Sequence, residues 1–113
     1  MEEGEKMKIK FECIFSGHNI KQNGIVQLKL KAPEEEIHNI LSLVTCIGKE
    51  IKVAASIGTE KIKIGKFFVD KITIDKNAQA TITIVSTIES IDCSVLPSLS
   101  KQEQIINIFI NCE

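Results

Sequence analysis

The chain contains no tryptophan, no tyrosine and no arginine, so all 14 of its basic residues are lysine. Trp, Tyr and Arg are the side chains that most often anchor protein interfaces, and Arg alone offers a bidentate fork to phosphate or guanine. Binding by this chain therefore runs through lysine point charges, backbone groups and apolar surface. A coding bias that favours Ile, Lys and Asn over Arg is the simplest cause of the deficit. Aromatics make up 4% of the chain, all of them Phe, and there are two histidines. With so few acids, bases and anion clamps, and with no GxGxxG, Walker loop, HExxH or GxSxG, the chain reads as a non-enzyme that uses no cofactor.

Cysteine is present four times, as Cys13, Cys46, Cys93 and Cys112, but never as CxxC, and neither His18 nor His38 stands at zinc-ligand spacing. Reduced thiols and no metal site are expected. No apolar run approaches the roughly 20 residues that span a bilayer. The acidic start MEEGEKMK has no apolar h-region, so a cytoplasmic protein without membrane contact is expected. A formal charge of −1 gives no global steering toward nucleic acid.

What the sequence does contain is alternation. With 43% hydrophobic and 26% charged residues over 113 positions, it fits a single domain, here 7–113, behind a charged tail at 1–6 that is expected to be disordered. Lys61 to Ser86 reads as two β-branched runs joined by Asp75-Lys76-Asn77-Ala78, a hairpin signal. Ile62, Ile64, Phe68, Ile72 and Ile74 share one parity of the first run, and Ala80, Ile82 and Ile84 share one of the second. Lys66 and Asp70 intrude on the isoleucine parity while Phe67 and Val69 lie opposite. Either a bulge near Gly65 shifts the register, or the middle of the strand buries both faces.

The remaining elements follow from the same rules. Met7 to Phe15 alternates as a half-buried strand, 16–24 reads as a turn-rich loop, and Ile25 to Lys31 reads as a second strand, antiparallel to the first. Pro33 followed by Glu34, Glu35 and Glu36 starts a helix over 34–46, with Ile37, Ile40, Leu41 and Val44 as its apolar stripe and Gly48 as its stop. The three glutamates suit the helix dipole better than a metal. Glu50 to Ser56 is a strand with Ile51, Val53 and Ala55 inward, and residues 87–99 suggest a short helix and a turn. The C-terminal run is ambiguous. Ser100 with Glu103 resembles a capping box, whereas Ile106, Ile108 and Ile110 alternate with Asn107, Phe109 and Asn111. An offset of 54 lays Leu28 on Ile82 and Leu30 on Ile84, and one residue more lays Ile51 on Ile106. Two ββαβ repeats would make the C-terminus a strand. The expected fold class is α+β and β-rich, with antiparallel sheet(s) of about six strands and one clear helix.

The run GIVQLKLKAPEEEIHNILSL followed by GKEIKV, with the Lys- and Ile-rich hairpin, resembles small uncharacterised proteins of phages and prophages of low-G+C Firmicutes over roughly residues 7–86. The resemblance implies a genomic setting among replication, recombination or counter-defence genes and assigns no functional residue.

Two binding surfaces stand out. Lys8 and Lys10 on the first strand and Lys29 and Lys31 on the second are all polar-face residues, and paired strands would put them on one ribbon face able to follow a phosphate backbone. The competing explanation is ordinary solubility and edge protection by lysine. Phe67 and Phe68 are adjacent, so one is exposed unless both faces are covered; Lys66 and Lys71 flank them. The first reading is a small accessory or inhibitor module that binds an unidentified protein through a sheet edge or the Phe67/Phe68 region, with self-association allowed for. The alternative is a single-stranded nucleic-acid binder using the lysine face of an OB-like barrel, weakened by near-neutral charge, absent Arg and few aromatics.

Overall fold

Alternation of Ile9, Phe11, Cys13 and Phe15, all buried, with exposed Lys8, Lys10, Glu12 and Ile14 makes β1 (Met7–Ile20) a strand with one wet face. The computed structural model describes residues 7–87, 89–91 and 105–112, and the remaining strands are β2 (Ile25–Ala32), β3 (Glu50–Ile57), β4 (Glu60–Ile74), β5 (Ala80–Thr87) and β6 (Ile105–Cys112). They form one antiparallel sheet that closes into a barrel in the order β1-β2-β5-β4-β3-β6. Six antiparallel strands with one helix agree with the sequence reading. The closure goes beyond the sheet of that fold class, and it is staggered: β1 before Ile14 and β4 before Phe68 pair with a strand on one side only. The C-terminal run is a strand with Ile106, Ile108, Ile110 and Cys112 inside. The helix and turn expected over 87–99 fall mostly outside the described residues, as do the tail at 1–6 and Cys93.

Two expectations need correction, and one alternative is decided. Residues 16–24 are not a loop: β1 continues to Ile20, a bulge lies between Phe15 and Gly17, and a turn at 21–24 leads into β2. The helical segment does cover 34–46, but it is α-helical only over Ile37–Leu43 (α1), with 3-10 turns at Glu34–Glu36 and Val44–Cys46. Its buried side chains are Ile40, Leu43 and Cys46, whereas Leu41 and Val44 are exposed. Ile40 and Leu43 share a face of α1 at i, i+3, and the 3-10 turn, which eclipses i and i+3, carries Cys46 onto the same line. In β4 the register shifts opposite Val53/Ala54, around Gly65, and again between Val69 and Lys71. These bulges turn Ile64, Phe67 and Val69 inward together, so of the two alternatives for the strand's middle the bulge is the one observed.

The strand order maps onto itself when β1, β2 and β3 are exchanged with β4, β5 and β6. Register obeys the same exchange. Leu28↔Ile84 and Leu30↔Ile82 swap under an offset of 54, and Val53↔Ile110 and Ala55↔Ile108 under 55. So do two long-range bonds. The Glu12 N–H donates to Glu36 Oε2 at 3.0 Å, and the Lys66 N–H, 54 residues on, donates to the Ser90 carbonyl at 3.3 Å. Each supplies an acceptor to an outer strand's N–H from the segment that follows the neighbouring hairpin.

The β4–β5 turn is built on Asp75, whose Oδ1 accepts from the N–H groups of Asn77 (2.8 Å) and Gln79 (3.0 Å). Ala78 sits there at φ 62°, a left-handed conformation that costs an L-residue about 1–2 kcal/mol. Ala78→Gly should therefore raise stability by about 0.5–1 kcal/mol after the entropy cost of glycine. Chemical denaturation checks this, and an unchanged or lower midpoint would contradict the turn geometry.

Candidate functional site

Alternation sends every second side chain outward, and register decides which of these become neighbours. On the wall formed by β1, β6, β3 and β4, three residue rows cross the strands. They are Lys8–Asn111–Lys52–Lys66, Lys10–Phe109–Ala54–Lys63 and Glu12–Asn107–Ser56–Lys61. Six of the chain's 14 lysines thus share a strip about 15 Å across, given strand spacings near 4.8 Å. All six are exposed, and among the described residues none is held in an ion pair. Lys52 and Lys66 stand directly opposite one another, an unfavourable like-charge pairing. Three carboxylates, Glu12, Glu50 and Glu89, border the strip. A chain of formal charge −1 therefore carries a locally basic wall.

Phe109 lies in the middle row, half-buried, with Lys10 Nζ 5.5 Å and Lys61 Nζ 5.2 Å from its ring centroid. Both fall within cation–π range. Two open grooves flank the row. One of about 450 Å³ is lined by Lys8, Lys10, Lys61, Lys63, Phe109 and Asn111, among others. The other, about 650 Å³, is lined by Lys52, Lys63, Lys66, Glu89, Ser90 and Asn111, among others. Ala54, Lys63 and Asn111 belong to both, so the two grooves adjoin.

The structure divides the residues singled out in the sequence. Lys8, Lys10 and Lys66 lie on this wall. Lys29 and Lys31 do not join Lys8 and Lys10, because β1 changes partner along its length. Its first half pairs with β6 and only Ile14–Ile20 pairs with β2, so Lys29 faces Gly17 and Lys31 faces Ile14. Lys29 and Lys71 instead flank Thr83 on the opposite wall. Thr83, between them in register, is buried although its parity points outward. Phe67 is an interior residue, 0% exposed, and is withdrawn as a surface candidate; Phe68 is 45% exposed, opposite Glu50 and Val85. Lys52, Lys61, Lys63, Phe109 and Asn111 were not singled out. Only the strand alternative for the C-terminal run puts Phe109 opposite the isoleucines, and the insertion of β6 between β1 and β3 left no local signal.

The thiols of Cys13 and Cys46 are poorly suited to thiolate chemistry. Burial, with Glu36 nearby, pushes Cys13 up to about 12, and burial beside Cys112 pushes Cys46 up to about 11. Among the described residues no group of three or more His, Cys, Asp or Glu is arranged to hold a metal ion, and no helix is long and apolar enough to cross a membrane. No protein family, curated protein or solved structure matches the chain.

Proposed function

We propose that the chain is a non-enzymatic binding module whose β1–β6–β3–β4 wall holds nucleic acid by its phosphate backbone. The observation that carries this reading is the convergence of six exposed lysines from three strands on one strip, with Lys52 opposite Lys66. Such a strip costs the free fold some repulsion, which a bound polyanion relieves while releasing counterions. The phage setting implied by the sequence resemblance is compatible with a ligand of this kind. A duplicated three-strand unit accounts for the architecture, since registers and long-range bonds recur at offsets of 54 and 55.

Fluorescence anisotropy of a labelled oligonucleotide across a salt series tests the reading. Affinity should fall steeply with salt. Lys52→Glu with Lys63→Glu should cost at least about tenfold at low salt and lower the salt slope by about two. Lys29→Glu with Lys31→Glu, on the other wall, should do much less. Equal effects of the two pairs, or no binding at low salt, would reject the proposal. The protein-contact reading would then stand on Leu41, Val44 and Ile47, exposed by 51%, 45% and 46% along the helical segment and its exit.

A further inference from the structure

We infer that the nucleic acid is single-stranded and that one of its bases stacks on Phe109; this rests on the phosphate-binding reading of the same wall. A face made for phosphates alone has no use for an aromatic ring at its centre. Phe109 nevertheless points outward between buried Ile108 and Ile110, with lysines at both ends of its row. Its neighbour across β3 is Ala54, the smallest side chain of the row, which leaves an apolar shelf beside the ring. The ring is already approached by two ammonium groups, Lys10 at 5.5 Å and Lys61 at 5.2 Å. Both belong to exposed, flexible side chains. A cation–π contact at an exposed site is weaker than base–aromatic stacking, so an incoming base displaces an ammonium toward its own adjacent phosphate.

The grooves support the same polarity. The one containing Phe109 meets the one containing Lys52, Lys66 and Ser90 at Asn111 and Lys63, which line both. A strand lying along both keeps its backbone on lysines while presenting one base to the ring. A duplex hides its base faces in the stack and would set sugar and phosphate against Phe109. The ligand chemistry is therefore a flexible polyanion with an unstacked aromatic base, as in single-stranded DNA or RNA.

Because the chain has no native tryptophan, Phe109→Trp places a single reporter at the proposed contact. Full-length Phe109→Trp would be titrated with a single-stranded oligonucleotide, the matching duplex, and inorganic polyphosphate. The single strand should bind within about threefold of wild type and quench the emission, while duplex and polyphosphate bind more weakly and leave it unchanged. Phe109→Leu, which keeps apolar bulk but removes the π face, should lose about tenfold for the single strand and nothing for polyphosphate. Its melting curve shows whether the barrel is intact. Equal, unquenched binding of all three polyanions, or an unaffected Phe109→Leu, overturns the stacking inference and leaves the phosphate-binding wall in place. Failure to bind any of them overturns both.

Discussion

Phe67→Ala should lower the unfolding free energy by about 3–5 kcal/mol, whereas Phe68→Ala should change it by no more than about 1 kcal/mol. The two residues are covalent neighbours in one strand, so composition, propensity and position in the chain are shared. What differs is environment. Phe67 is fully buried opposite Ile51, within the core that also holds Phe11, Leu28 and Ile108. Removing its ring loses the transfer energy and leaves a cavity that a closed barrel of hydrogen-bonded strands is poorly able to collapse. Phe68 keeps about half its surface in water beside Glu50 and Val85. Domains are typically stable by about 5–15 kcal/mol, so the first variant loses a large share of the total and the second almost none. Urea denaturation of both variants measures the contrast. Equal midpoints would mean that the bulge near Gly65 does not set the register of β4.

The same pair shows where legibility in the sequence stops. Alternation identified the inward residues of β1, β2, β3 and β5, because strands with one wet face repeat every second residue, and it left β6 open between strand and helix. It failed in β4, where two bulges change parity and a pattern of period two points to both faces. It failed more subtly in the helix. Ile37, Ile40, Leu41 and Val44 satisfy α-helical spacing, but the buried line runs through Ile40, Leu43 and Cys46, and the last of these is reached through a 3-10 turn. The candidate site was half legible for a third reason. Outward lysines are recognisable one strand at a time, but which strands adjoin depends on crossings that no local pattern encodes. Lys8 and Lys10 were assigned to the β2 ribbon because β2 is next in sequence; they belong instead with Phe109, Asn111 and Lys52. The internal offset held the missing information, since it pairs β3 with β6 and β1 with β4 as equivalents. Once β6 lies against both β1 and β3, Lys8 and Lys10 stand on one flank and Lys61 and Lys63 on the other.

Gly65→Ala should cost about 2–4 kcal/mol, combining backbone strain with overpacking. Gly65 lies at φ 143°, which side chains rarely adopt. A Cβ there would meet the Ser90 carbonyl oxygen at 2.3 Å and Ile91 Cα at 2.8 Å. Both are backbone atoms, so no rotamer change relieves the clash. Either β4 or the 89–91 segment must move, and movement breaks the Lys66 N–H to Ser90 carbonyl bond of 3.3 Å, together with the bond from the Ser86 hydroxyl to the Lys66 carbonyl. Gly17→Ala is the control: a Cβ at Gly17 has nothing within 4 Å, and little change is expected although that glycine also lies beside a bulge. Thermal denaturation ranks the two, and amide exchange at Lys66 reports whether the 89–91 segment has lifted. Lifting it would also widen the groove between Lys52, Lys66 and Ser90, so the substitution should weaken oligonucleotide binding more than polyphosphate binding if the strand threads that groove. Indistinguishable melting of Gly65→Ala and Gly17→Ala would show that the segment does not rest on β4, and would remove one wall of the groove on which the binding path depends.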